Sequence, residues 1–287
     1  MPVERPEREG QEVAATINTN AGAMIALQNL NKTNMELEQV QTRINTGLQI
    51  SSAKDNGGIY AIAQSMRADV AGYRAVGNSI DLAQSTVDVA LAAGEAISDI
   101  LIEMKEKALA GADSSLDAAS RTALNADFTA LRDQIATIVA NAEFNGTNLI
   151  SNGAGDITAL ANADGSNTIT VQAEDLSLTG TQLTISATSS FATATQADNI
   201  ASQIGTSLDN LNASLARLGT GSKSLEIHNT FISKLSDALE KGIGNLVDAD
   251  LAKESARLQS LQVKQQLGIQ ALSIANSAPS AILGYFR

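Results

Sequence analysis

Apolar side chains recur along this chain at steps of three and four residues, the repeat of a helix that buries one stripe. The longest seam is Val76, Ile80, Ala83, Val87, Ala90, Gly94, Ile97, Leu101, Met104 and Ala108, alternating four and three without a slip. At 1.5 Å per residue it predicts a helix about 50 Å long. Its Ala and Gly positions call for close approach by a partner helix. A second seam, Leu27, Leu30, Asn34, Leu37, Gln41, Ile44 and Leu48, has two polar interruptions. A third runs Leu124, Phe128, Leu131, Ile135, Ile138, Ala142, and a fourth Leu208, Leu211, Leu215, Leu218, Ser222, Leu225, Asn229, Ile232. The last helix carries Leu251, Leu258, Leu261, Gly268, Leu272, Ala275 and Ile282. Turn chemistry breaks the pattern at Asn56-Gly57-Gly58, from Gly111 to Ser115, and at Asn145-Gly146. Gly242 and Gly244 read as a joint between the last two helices.

Residues 145–195 change character. Gly, Ser, Thr and Asn dominate, with strand-like runs at Ile169-Thr170-Val171 and Leu183-Thr184-Ile185-Ser186 and turns at Asp164-Gly165 and Thr179-Gly180. A small β-hairpin element is expected. No Lys or Arg lies between Arg132 and Arg217, while Glu174, Asp175 and six other carboxylates do, so this stretch should be acidic and exposed. The expected fold is mainly α: an antiparallel long-helix rod, coiled-coil-like, with paired terminal helices and the hairpin at mid-chain. The expected division is a disordered lead-in at 1–16, a terminal-helix core of 17–50 with 246–287, a helical rod of 51–150 with 195–245, and the hairpin region 151–194.

The two ends mirror each other. Val13 to Asn31 carries no charge, and neither does Gln265 to Phe286. An uncharged helix has no face meant for bulk water, and helices of this length need packing partners. One partner helix cannot cover all the apolar surface offered. Leu27, Leu30, Leu37, Ile44, Leu251, Leu258, Leu261, Leu272 and Ile282 are therefore expected at a subunit interface.

Composition narrows the remaining classes. The 287 residues include no Cys and no Trp, aromatics are only 3%, and the net charge is −12. So acidic a surface disfavours nucleic acid and anionic lipid, which rely on Lys and Arg. Without Cys there is no disulfide framework and no thiol chemistry. The start is charged, with Pro2 and Pro6, and lacks the apolar core of a secretory signal. The charge-free C-terminal run contains Gln265, Gln266, Gln270, Ser273, Asn276, Ser277 and Pro279, a poor lipid-facing series, so no membrane insertion is expected. His228 is the only histidine, so no His-based metal cluster can be assembled. Gly219-Thr220-Gly221-Ser222-Lys223-Ser224 hints at a phosphate loop, but it lacks Gly before Lys223 and lies within a helical seam. No catalytic or cofactor-binding set emerges, and an enzyme reading has almost no residue support.

Several motifs, in order, carry a resemblance. They are Ile17-Asn18-Thr19-Asn20, Arg43-Ile44-Asn45-Thr46-Gly47, Ser52-Ala53-Lys54-Asp55, Phe144-Asn145-Gly146-Thr147-Asn148-Leu149, Asn245 to Glu254, and Ala275-Asn276-Ser277-Ala278-Pro279 to Arg287. Together they resemble bacterial flagellin, the flagellar filament subunit, and the C-terminal block is most like alphaproteobacterial members. The resemblance covers about residues 17–150 and 196–287. It implies terminal helices that pair and line a filament core, a middle helical domain with a β-hairpin, and no large outer domains. It also implies self-assembly into a helical homopolymer used for swimming. Implied partners are hook–filament junction and filament cap proteins, an export chaperone and the type III export apparatus, with an extracellular destination. The alternatives are a hook–filament junction protein of the same superfamily and a cytosolic coiled-coil scaffold.

Similar flagellins are often O-glycosylated in the hairpin region, which makes Ser177, Thr179, Thr181, Thr184, Ser186 and Thr188 candidates. Two departures stand out. The family usually reaches the Ile17 block within a few residues of its start. At Glu103-Met104-Lys105-Glu106-Lys107-Ala108 many members carry an Arg-rich stretch that an animal innate immune receptor reads, and Glu103 reverses that charge.

Overall fold

A computed structural model of the chain describes residues 19–283, with side chains as far as Ser277. The expected lead-in at 1–16 and the Ile282 side chain lie outside the described residues. The described residues form five helices: α1 (Ala21–Thr46), α2 (Gly57–Gly111), α3 (Ala118–Asn141), α4 (Ala194–Val247) and α5 (Leu251–Leu283). Two antiparallel strand pairs lie between α3 and α4: β1 (Glu143–Phe144) with β2 (Thr147–Asn148), and β3 (Ile157–Leu160) with β4 (Thr168–Val171). The chain divides into two compact units, one of residues 1–64 with 242–287 and one of residues 65–241.

Local chemistry sets the helix ends. Asn20 Oδ1 accepts the Ala23 N–H at 3.0 Å and caps α1, which stops at Gly47 with φ 70°, a left-handed value that suits Gly. The Asn56-Gly57-Gly58 sequence is a helix start and not a positive-φ turn. Asn56 Oδ1 accepts the Ile59 N–H at 3.2 Å, and the two glycines form the first turn of α2. Asp117 caps α3 by accepting the Ser120 N–H at 2.7 Å, and that bond holds its carboxyl below the usual carboxylate range. Asn145 (φ 49°) and Gly146 (φ 79°) make the tight β1–β2 turn with both central residues at positive φ, the geometry that matches strand twist.

In the unit of residues 65–241 every member of the Val76–Ala108 seam is buried. It forms one core with Phe128, Ile135 and Val139 of α3 and Leu211, Leu218, Leu225 and Ile232 of α4. Small residues permit the close approach. A Cβ on Gly94 would stand 2.5 Å from Leu215 Cδ2. Phe128 and Phe191 meet tilted, ring centroids 5.4 Å apart.

Three expectations for the rest of this region differ from the structure. The second strand-like run, Leu183 to Ser186, is not a strand and makes a single bridge, Leu178 to Leu183. Its alternation has another cause. Leu183 and Ile185 are fully buried in the core. The Thr184 N–H donates to Ser207 Oγ at 3.0 Å and its hydroxyl to the Gln203 carbonyl at 3.1 Å, so α4 supplies the partners a strand would have. Nor is the acidic stretch uniformly exposed. Glu174 is 4% exposed, held by Arg217 Nε and Nη2 at 2.6 Å each, Ser214 Oγ at 2.9 Å and Gln182 Nε2 at 3.2 Å. Its bond to Glu174 raises the Arg217 pKa. The first cation after the long gap thus clamps the loop to α4. Lastly, α4 runs unbroken through Gly242 and Gly244 to Val247, and the joint is Asp248–Asp250. A Cβ on Gly244 would stand 2.7 Å from Asp248 Oδ2, so that glycine makes room for the connector.

Candidate subunit interface

Within the unit of residues 1–64 and 242–287, α1 and α5 pack against each other through Leu37, Val40 and Leu261, with Ile44 and Leu258 at the margin. Their relative exposures are 9%, 1% and 2% for the first three. Polar pairs mark an antiparallel register along the two helices. Asn20 Nδ2 donates to the Ala275 carbonyl at 2.6 Å, Gln265 Nε2 to Asn34 Oδ1 at 2.8 Å, and Arg43 Nη1 to Glu254 Oε1 at 3.2 Å. The connectors close the series, because Leu48 and Asp248 form a bridge and Gln49 N–H donates to the Val247 carbonyl at 2.7 Å. A polar residue in an apolar seam fixes alignment, since a shifted pairing would bury its groups unpartnered. Asn34 is one of the two polar interruptions in the sequence pattern, and the structure shows its partner. The Arg43–Glu254 pair leaves Arg43 Nε and Glu254 Oε2 buried without a hydrogen bond among the described residues.

The pairing covers one stripe of each helix and leaves much apolar surface open. On α1, Met24, Ile25, Leu27 and Met35 are 47–63% exposed. On α5, Leu251, Val263, Leu267, Ile269 and Ile274 are 49–70% exposed. Burying one such side chain is worth about 1.5–3 kcal/mol, so a surface of nine calls for cover.

The expected interface residues therefore separate. Leu27 and Leu251 are open, Leu30 and Leu272 are half-buried, Ile44 and Leu258 flank the seam, and Leu37 and Leu261 are enclosed within the chain. Met24, Ile25, Met35, Val263, Leu267, Ile269 and Ile274 were missed by the heptad reading, which selects a single stripe. For Met24, Ile25, Leu267, Ile269 and Ile274 the signal is the lack of charge around the helix, while Met35 and Val263 lie beside Glu36 and Lys264, outside the charge-free stretches.

The hydroxyl candidates lie in the unit of residues 65–241. Thr179, Thr181 and Thr188 are exposed, and Thr179 sits at φ 66°. The Ser177 hydroxyl donates to Asp175, Thr184 is engaged with α4 as above, and Ser186 Oγ pairs with Thr188 Oγ1 at 3.1 Å. Among the described residues no cluster of His, Cys, Asp or Glu is placed to hold a metal, and no helix is long and apolar enough to cross a membrane.

Residues 17–154 match the model of the bacterial flagellin N-terminal helical region and residues 200–286 that of the C-terminal helical region. Flagellin FljK of Caulobacter vibrioides is 57% identical over 272 residues, covering 95% of this chain and 98% of its own. The chain belongs to the bacterial flagellin family. A flagellin of Brucella melitensis is 37% identical over 286 residues, covering 95% of this chain and 99% of its own. A solved structure of a putative flagellar hook-associated protein from Vibrio parahaemolyticus shares the fold, with TM-score 0.56 at 14% identity over 68% of this chain and 100% of that one. As a flagellin, the protein is a structural subunit of the bacterial flagellar filament used for swimming. The open apolar surface on α1 and α5 belongs to the two regions that the family models match.

Proposed function

We propose that this flagellin polymerises through the surfaces of α1 and α5 that their mutual pairing leaves uncovered, Leu27 and Leu251 together with Val263, Leu267, Ile269 and Ile274. The observation that carries this reading is α5, a 33-residue helix whose seam toward α1 is filled by Leu261 while apolar residues at other positions stand open. A lone molecule so built exposes a patch that soluble monomers avoid. A polymer of identical neighbours covers it. The subunit acts mechanically in this reading and carries out no catalysis. Its destination is extracellular, reached through the type III export apparatus with a chaperone over α5, and the polymer joins the hook through junction proteins and grows beneath a cap. The candidate hydroxyls best placed for O-glycosylation are Thr179, Thr181 and Thr188, which are exposed.

Purified monomer seeded with sheared filaments should grow long fibres visible by electron microscopy. Leu267→Asp should keep the monomer's helix content by circular dichroism and stop elongation, because an unpaired charge is costly to bury. Normal fibres from Leu267→Asp would remove α5 from the interface. Failure of the parent chain to elongate would overturn the polymer reading itself.

A further inference from the structure

Three asparagines in this chain precede a glycine: Asn56, Asn145 and Asn152. In such a step the glycine nitrogen can attack the asparagine amide carbon, because no Cβ shields it. The structure gives the three steps different freedom. Asn56 Oδ1 accepts the Ile59 N–H at 3.2 Å and its carbonyl accepts the Tyr60 N–H at 3.0 Å, so side chain and backbone are both engaged at the start of α2. Asn145 sits at φ 49° in the tight turn pinned by the Phe144–Thr147 pair. With both central residues at positive φ, the next nitrogen lies across Cα from the side chain. Swinging it round would break the hairpin.

Asn152 is held by neither device. Ser151 to Ala154 form a turn closed by the Ala154 N–H on the Ser151 carbonyl at 3.2 Å, with Asn152 at negative φ and Gly153 at φ 72° in the third position. These are the marks of a type II turn. Its central peptide, here the one joining Asn152 to Gly153, can flip toward type I while the flanking residues stay in place. Gly153 accepts either sign of φ. The Gly153 N–H has no hydrogen-bond partner among the described residues, and a Cβ there would meet nothing within 4 Å. Both residues are exposed. One bond restrains the side chain, Asn152 Nδ2 donating to Asp175 Oδ2 at 3.3 Å.

We propose that Asn152 is a site of spontaneous modification, where the chain and water convert the side-chain amide to a carboxylate. The Gly153 nitrogen bonds to the Asn152 amide carbon, the bond from that carbon to Nδ2 breaks, and ammonia leaves carrying the Gly153 proton. The cyclic imide so formed takes up one water. Opening at one carbonyl gives aspartate, and at the other isoaspartate, whose main chain runs through the former side chain. No electron is gained or lost. Either product removes the bond to Asp175 and sets a second carboxylate near it. Asp175 accepts the N–H and the hydroxyl of Ser177, so the repulsion bears on the segment that follows β4. The site depends on the fold of the unit of residues 65–241 and not on the polymer reading.

The test keeps the full chain folded in mildly alkaline buffer, digests it at acid pH and weighs the peptides, with an isoaspartate-specific methyltransferase to mark that product. The acid form should accumulate at position 152 faster than at 56 or 145 by about tenfold or more, the factor that one lost cap or turn contact places on a barrier. In the chain unfolded by urea the three steps should convert at similar rates, because the fold makes the choice. Gly153→Ala should slow conversion at 152 and leave helix content unchanged, since the added Cβ shields the nitrogen. Conversion at 56 or 145 that keeps pace with 152 in the folded chain would overturn the proposal. So would a position 152 that stays an amide while the unfolded chain converts. Asn152→Asp supplies the carboxylate from the start and should speed amide exchange at Ser177; unchanged exchange there would overturn the repulsion.

Discussion

Gly72 shows how one atom can decide a packing question. A Cβ at this position of α2 would stand 2.7 Å from Ala163 Cβ and 2.9 Å from the Ala163 carbonyl oxygen. The neighbour is the turn between β3 and β4, so relief requires a backbone shift and no rotamer change suffices. Gly72→Ala gains about 1 kcal/mol of helix propensity, but crowding of this kind costs about 1–3 kcal/mol. The expected outcome is a lower Tm for the variant, read by circular dichroism, with the β3–β4 turn losing amide protection first. An unchanged or raised Tm would show that the turn yields freely. Glu174 makes the opposite point, since there a polar group is buried at small cost because Arg217, Ser214 and Gln182 all reach it.

At the scale of elements, α1 and α5 show why one apolar stripe is not the same as one interface. Leu261 serves the pairing inside the chain and Leu267 the surface beyond it. Leu261→Asp should therefore disrupt the lone molecule, with helix content falling and α1 amides exchanging faster, before assembly is ever tested. Leu267→Asp should leave the lone molecule intact. If both variants behaved alike in monomer hydrogen exchange, the division of α5 into an inner and an outer face would be wrong. The polar rungs Asn34–Gln265 and Arg43–Glu254 explain how two repetitive helices avoid slipping past each other by a turn.

At the scale of the molecule, the strand region is tied into the core: Ala159, Val171, Leu176, Leu183 and Ile185 join the same cluster as α2, α3 and α4. What it shows to solvent includes many hydroxyls, among them Thr158, Thr168, Thr170, Thr179, Thr181 and Thr188. Sugar added to Thr179, Thr181 or Thr188 would extend outward without disturbing that core. Intact mass of subunits from native filaments should exceed the 29.7 kDa of the sequence by one or more sugar residues. A mass equal to the sequence value would remove the modification.

The amino-acid sequence by itself determined the helices, their order and their inward faces. The Val76–Ala108 seam is buried at every position because a 3.6-residue repeat allows one arrangement of its apolar atoms. The family motifs lie within the same local stretches, so the kind of protein was legible as well. Tertiary structure alone decided which partner each residue meets. Leu183 to Ser186 alternates like a strand, yet the polar groups of Thr184 are satisfied by α4, 19–23 residues further along the chain, and the Ser186 N–H by Ser189 Oγ. Glu174 belongs to an acidic run by composition, and by contact it is the buried partner of half-exposed Arg217. Leu261 and Leu267 sit on one helix with equal hydropathy, and only the position of α1 makes the first a core residue and the second a surface. The reason is physical: periodicity states that a side chain wants cover, while the geometry of the neighbours settles what provides it.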